Sequence, residues 1–546
     1  MSCAAAAGAS STTAAASVGG GQVMFQVDAS TVSGAPPGWP TTCADAVDMQ
    51  SYIGCDFWPT VTFNPVWSIF DFAAVVANAQ TVAATIQVTG PNGVNQMATV
   101  EPNSLTTIYL PWVPTLKGPD FDSCGFIPAL TASVTAPGGA YHLVSSVPVS
   151  VYQFNALEYQ GKGGAPEKNW GSCPGTTTLC ILPTGGGYVG CFSYSNDASI
   201  LLPSSAMTGN YRVTGQQGAT LGVGGFFAVT AIADNTQVTV TLSNTATVLA
   251  GNGITAGTAG GQLAFAMNSG DVVEILGQAQ DGVDLSGSYV SATAPVQVLA
   301  GTQCSLEPAP AVACDHLESS VLPAETLGKD YVVTVPTAPN AAVVGHMVRF
   351  FGNVDGTTLT YSPSQPPGCP STLNAGQVVQ CTGVPRCATG IDSQGDPAPI
   401  TCVNQTFEVT GSEPFAVSSF MLAGSAIDPT PNGNSEGDPS MSPIVATEQY
   451  LSKYIFLAPS DYDQSYADIV VPPGTTLTLD GAPVTTAPVV LNAQWSIVRT
   501  PLGAGQNGAH VLSGTKPFGV QVIGYGAYTS YQYPAGLNLV HIAQPR

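Results

Sequence analysis

The feature that most constrains this chain is that it repeats itself. The stretch "DHLESSVLPAETLGKDYVV" (315–333) returns without a gap as "DPSMSPIVATEQYLSKYIF" (438–456). Asp315 aligns with Asp438, Glu325 with Glu448 and Tyr331 with Tyr454, each 123 residues on. A shorter copy, "NDASILLPSSAMTGNYRV", supplies Asp197, Pro203 and Tyr211. Downstream, "GTTLTY" (356–361) comes back as "GTTLTL" (474–479), and "DNTQVTV" (234–240) holds the comparable place in the earlier copy. A second signature, Pro-x-x-Val inside a strand-like run, occurs four times: Pro148/Val151, Pro295/Val298, Pro414/Val417 and Pro517/Val520. A repeat of a hundred residues or slightly more is large enough for each copy to be a small domain with its own core.

What each copy is made of follows from its texture. Runs such as "QVTVTL", "DVVEIL" and "GVQVIGYG" alternate apolar and polar residues or form short buried blocks, and Gly, Asn, Asp, Ser and Pro punctuate them. With 61 Gly, 44 Pro and only 8% charged residues, the chain suits strands and turns rather than helices. The expected fold is all-β: four tandem β-sandwich-like units behind a flexible N-terminal tether. The tether covers residues 1–22, a divergent first unit 23–165, and the others 166–303, 304–425 and 426–546. "LVSSVPVSV" and "VLSGTKPFGV" read as hairpins whose second strand opens on Pro, a place where a strand tolerates it.

Charge and cysteine bound the setting. A net charge of −23 leaves no basic footprint for nucleic acid and disfavours an anionic membrane surface. Of 13 cysteines, Cys3 lies in the leader. The remaining twelve (Cys43, Cys55, Cys124, Cys173, Cys180, Cys191, Cys304, Cys314, Cys369, Cys381, Cys387 and Cys402) make no C-x-x-C pair and flank no spaced His pair. An even number at short spacings points to disulfides, an oxidising compartment and an extracellular or cell-surface place; Cys314, ten residues from Cys304, is expected to pair locally. "MSCAAAAGASSTTAAASVGGG" has no basic residues and no leucine-rich core, so it is not an intact signal peptide. A cysteine followed by such a tether resembles the mature start of a bacterial lipoprotein, with Cys3 carrying the lipid; the alternative is an unpaired thiol.

"CDHL" crowds Cys314, Asp315 and His316 together, with Glu318 beside them, as a metal or catalytic site would. The sister copies argue otherwise. With the Asp residues aligned, His316 becomes Ala198 and Pro439, and Cys314 becomes Asn196 and Gly437. The stretch reads as scaffold, its shared Asp closing a local Asx-type turn.

The runs "SYIGCDFW", "YSNDASILLP", "CDHLESSVLPAETLGKDYVV", "GDPSMSPIVATEQYLSKYIFLAPSDYD" and "GVQVIGYGAYTSYQYPAGLNL" resemble the IgG Fc-binding protein N-terminal-type region. That region opens a large mucus-associated animal protein and occurs in many secreted bacterial proteins, notably of myxobacteria. The resemblance extends from about Ser51 to Leu539. It implies an extracellular, disulfide-bearing, non-enzymatic module with an adhesive role. No family binding motif places Fc recognition on particular residues of this chain, and the mucin-like and von Willebrand-type domains of the animal version are absent from it.

Other candidate residues are few. The five histidines form no pair at metal-binding spacing, and no H-E-x-x-H, G-x-S-x-G or Walker-type loop is present. "SDYDQSYAD" offers Asp461, Asp463 and Asp468 as hard oxygen ligands for calcium, the one cofactor considered, against a solvated turn. Trp58 and Trp67 near the start, and Tyr528, Tyr531 and Tyr533 near the end, are candidate contacts to an extracellular protein or glycan, against a role as core. Three functions remain open: an extracellular non-enzymatic binding or adhesion protein; a self-assembling filament or surface layer that binds itself by strand addition through "GQVMFQVDAS"; and an extracellular hydrolase with a dispersed triad or carboxylate pair.

Overall fold

A computed structural model of the chain describes residues 39–543, apart from 167, 183–184, 195–196, 219–221, 312–313, 393–394, 429–434, 460–461 and 504–507. The tether, Cys3 and the strand-like 21–30 lie outside the described residues. Antiparallel sheet dominates, and every α-helix is short, the longest being Cys43–Met49.

The Pro-x-x-Val runs are the spines of this fold. His142–Asn155, Tyr289–Ser305 and Ala509–Gly526 are single strands of 14, 17 and 18 residues. Each changes partners at its proline. Before Pro295 the spine pairs with Thr236–Thr241; after it, with Gly225–Ala231. Pro148 separates Ala84–Gly90 from Phe72–Asn78 in the same way, and Pro517 separates Leu477–Leu479 from Gln464–Val471. Around Pro414 the spine is interrupted, giving Phe407–Gly411 and Phe415–Met421. The expected hairpins are therefore not hairpins. Proline has no N–H for a ladder, so the strand leaves one sheet there and enters another without reversing.

The two sheets sharing a spine enclose a core. In the second body Val238, Val240 and Val290 of one sheet meet Phe227, Val229 and Val298 of the other. The outer sheet shows simple alternation, as in Thr236–Thr241, where Val238 and Val240 face in and Gln237 and Thr241 face out. The inner strands Gly225–Ala231, His346–Gly352 and Phe415–Met421 are buried at every residue. Such strands must be covered on both faces, so a neighbour lies against the second one.

The Asp…Tyr repeat supplies three such neighbours, and Thr529–Pro534 near the C-terminus is the fourth. Ala198–Ile200, Asp315–Ser320, Met441–Pro443 and Thr529–Pro534 each pair with the preceding spine. These linking strands touch one another in succession, and the last touches the first, so the bodies close into a ring. The ring is sealed by the two ends of the described chain: Tyr52 N–H donates to the Leu537 carbonyl (3.1 Å), and Leu539 N–H donates to that of Gln50 (2.7 Å).

This arrangement corrects the expected unit boundaries. Tyr289–Ser305 runs through the 303/304 boundary, and linking strands placed in units 2, 3 and 4 complete the sheets before them. Val134–Ala136, placed in unit 1, pairs with Val272–Glu274. The ladders also shift one alignment. Ile200, Ser320 and Pro443 all pair four residues beyond the spine proline, with Tyr152, Leu299 and Ser418. Asp197 thus stands in register with Leu317, not Asp315.

One bond ties the two repeat signatures together. The Tyr211 hydroxyl donates to the Val296 carbonyl (2.5 Å) and accepts from Thr208 N–H (3.2 Å). Tyr331 does the same with Phe415 (2.5 Å) and Gly328 (3.1 Å). Tyr454 donates to Phe518 and accepts from Leu451 N–H (2.8 Å). In every case the acceptor follows the spine proline and the donor is three residues before the tyrosine. The first body has the same ladder, Gly54 opposite Val149 and Phe57 opposite Leu143, but Phe57 brings no hydroxyl. That is the physical content of its divergence.

Candidate binding surface and buried polar hub

All twelve cysteines expected to be oxidised are paired: Cys43–Cys55, Cys124–Cys180, Cys173–Cys191, Cys304–Cys314, Cys369–Cys381 and Cys387–Cys402. Two of these bonds hold a platform on the first body. Cys124–Cys180 joins the loop after Phe121 to the hairpin Cys180–Leu182/Gly185–Gly187, and Cys173–Cys191 closes the same region from its other side. Trp67 is its base. Only 1% exposed, it packs with Phe70, Phe121 and Cys173 and donates its indole N–H to the Asp122 carbonyl (3.1 Å). A Cβ on Gly175 would stand 1.9 Å from the Gly190 oxygen and 2.7 Å from the Trp67 ring, so only glycine lets the loop settle there. On top, Phe126, Leu179, Ile181 and Tyr188 are 63%, 64%, 89% and 62% exposed. No charged residue occurs in 123–141 or 169–196. Tyr528 borders this region, its half-buried ring edge-on to Phe192 at 5.3 Å.

The other aromatic candidates are core. Tyr531 and Tyr533 are 0% and 1% exposed in the seam between the first and fourth bodies, where Tyr533 donates to the Leu457 carbonyl. Tyr152 fills the same seam, its hydroxyl 2.9 Å from the carbonyls of both Ile455 and Ala535 and donating its one proton between them. Trp58 is buried in a stack on His142, 4.2 Å between centroids. Alternate aromatics along a strand here brace an interface, because both faces of the inner sheets are covered.

The proposed calcium ligands do not converge. Asp468 is fully buried and ion-paired with Arg499 (2.5 Å), and its carboxylate also accepts from Thr337 N–H (2.9 Å). Asp463 instead faces the Tyr159 hydroxyl at 3.3 Å, and Asp461 lies outside the described residues. Among the described residues no three or more His, Cys, Asp or Glu are grouped to hold a metal ion.

Reading the opening repeat as scaffold with an Asx turn misses a buried polar hub. Glu318 accepts from Gln153 (2.7 Å), Ser199 (2.9 Å), Thr62 and Asn155, which locks the second linking strand to the first body. His316 Nδ1 lies 2.8 Å from Asp197. Burial raises Asp197 and Asp315 well above the carboxylate range, raises Glu318 as well, and pushes His316 down to about 3, so burial disfavours charge on each of these groups. Asp315 makes no Asx turn: neither of its oxygens has a hydrogen-bond partner among the described residues. Its aligned partner Asp438 accepts from Gly424 N–H (3.3 Å) and, by burial, is raised to about 7. The signal for the hub was present as charged residues in an otherwise apolar repeat, but their partners lie up to 256 residues away. No reactant can reach it, since Asp197, Asp315, His316 and Glu318 are each at most 1% exposed.

The family profile described as IgGFc binding protein matches residues 197–524, inside the 51–539 span marked by the motifs. A human protein, "IgGFc-binding protein", is 32% identical over 190 residues, which is 34% of this chain and 3% of that protein. The chain thus matches only a small part of its relative's length. Among solved structures, an anti-sigma factor domain-containing protein from Clostridium clariflavum aligns over 59% of this chain and 83% of its own at 11% identity and TM-score 0.11. A tetra-tandem repeat in the extending region of a large adhesion protein aligns over 87% and 97% at 12% identity and TM-score 0.08. Neither likeness bears on the fold. The profile match covers more than half of the chain, from the first linking strand into the last spine, and the chain belongs to the IgGFc binding protein family.

Proposed function

We propose that this chain is an extracellular, non-enzymatic binding protein that docks a folded protein on the uncharged platform of its first body. The observation carrying this reading is the platform itself: four exposed apolar side chains on loops and a hairpin tied by two disulfides, in segments with no charge, in a chain of net charge −23. Interface centres are depleted of charge and built on aromatic and aliphatic anchors. Segments tied by disulfides have less freedom to lose on association. Six disulfides and the family match support the extracellular setting.

The relative's name makes IgG Fc the first protein to try. Surface plasmon resonance over immobilised Fc, with albumin as control, should show saturable binding to Fc alone. Leu179→Asp together with Ile181→Asp should weaken it by about tenfold or more, the loss expected of a central anchor. Absence of Fc binding removes Fc as the ligand. Binding that the double variant leaves unchanged removes the platform.

A further inference from the structure

A second site lies beside the platform, where the first body meets the fourth. A cleft of about 410 Å³ opens there between the edge-strand residues Leu105, Thr107 and Tyr109, the segment Leu157–Gly164, and Leu457 with Pro459. Its volume falls within the range of small-molecule sites, roughly 300–1,000 Å³, and boundaries between packed bodies are a usual place for them.

A polar scaffold behind the lining fixes Glu158. Lys168 Nζ sits 2.7 Å from Asp71, and Asp71 N–H donates to Glu158 (2.9 Å). Ala165 N–H reaches Asp71 at 3.3 Å. Glu158 is 3% exposed and held by this scaffold at the bottom of the cleft. The chain can pass so close only as glycine: Gly164 has φ +85°, and a Cβ there would lie 2.6 Å from the Glu158 carboxyl and 3.1 Å from that of Asp71. At the rim Lys162 is exposed, its ammonium 5.3 Å from the Tyr159 ring centre. Tyr109 and Leu105 make the opposite wall half-exposed and partly apolar.

The balance of these groups selects a ligand class. A free anion would find no cation in the lining but the exposed Lys162, because Lys168 is already paired with Asp71. A free cation would compete with Lys168, which already answers Asp71, and would face Lys162. A neutral molecule rich in hydroxyls satisfies both acceptors and donors and offers C–H surface to Tyr109. We propose that this cleft binds a neutral saccharide unit, with Glu158 and Lys162 bonding its hydroxyls and Tyr109 covering one face of the ring. Burial raises Glu158 to about 8, and Asp71 beside it works in the same direction, so near pH 7 the carboxyl holds its proton and can donate as well as accept. The groups facing it are Asp71 and Lys168.

The test is calorimetric titration of the full chain with the methyl glycosides of glucose, galactose, mannose and N-acetylglucosamine, with acetate and methylammonium as charged controls. At least one glycoside is expected to bind saturably. Tyr109→Ala and Lys162→Ala, both outside the core, should each weaken it by about tenfold, near 1.4 kcal/mol, with circular dichroism unchanged. Binding of no glycoside, binding of a charged control instead, or affinity indifferent to both substitutions would overturn the proposal. The platform double variant should leave glycoside binding intact, which keeps the two sites separable.

Discussion

At the residue scale the fold rests on groups whose partners are far away in sequence. Tyr331 and Tyr454 are visible in the repeat as shared letters, but the carbonyls they serve lie 84 and 64 residues on. Nothing local distinguishes such a hydroxyl from ordinary core packing. Replacing Tyr331 or Tyr454 with Phe leaves a buried N–H and a buried carbonyl each short of a bond, a loss of about 1–3 kcal/mol apiece. Denaturant unfolding should register it. Phe57→Tyr, which adds the missing hydroxyl in the first body, should cost nothing or stabilise. Buried acids give a second expectation. Glu158, Glu307 and Asp438 are raised, chiefly by burial, to about 8, 7 and 7. Each binds its proton more tightly folded than unfolded, so its contribution is complete below about pH 4.5 and is lost as pH rises through the folded value. His346, driven down to about 3 by burial, acts oppositely and costs stability as pH falls below about 6.5. The melting temperature should therefore be higher near pH 6.5 than near pH 8.5, and Glu158→Gln should flatten the difference. A profile that rises toward pH 8.5 would contradict this.

At the element scale the sequence reveals strands more readily than their connectivity. Alternation in "TQVTVT" and the apolar block "GFFAVTA" correspond to an outer and an inner strand with the burial each pattern implies. The continuity of the spines is not legible, because a period of two reads the same in a hairpin and in one strand bent at a proline. The loops of the platform were not legible at all. Cys173 and Cys180 are close neighbours in sequence, yet each bonds elsewhere, Cys173 with Cys191 and Cys180 with Cys124. Disulfide connectivity depends on which loops the core brings together, and Trp67 is what brings these. The cleft escaped notice for the same reason: Asp71, Glu158 and Lys168 become neighbours only once the first spine has turned its chain back.

At the scale of the whole molecule the departure is largest. Repeats suggest units in series, like beads; the hydrogen bonds instead make each linking strand part of the sheet before it and part of a shared centre. Covered inner strands, the buried polar hub and the tyrosine seam are consequences of that closure. No motif announces it, because the closing bonds are backbone bonds of Gln50, Tyr52, Leu537 and Leu539. The closure can be measured directly. Ser51 and Asn538 face each other in an antiparallel bridge flanked by those bonds. Such a non-hydrogen-bonded pair has its Cα atoms about 4.5 Å apart, within disulfide range. The variant Ser51→Cys/Asn538→Cys should oxidise to one intramolecular cross-link, seen by non-reducing peptide mass mapping of the monomer. Two free thiols, or cross-links only between molecules, would mean that the ring is open.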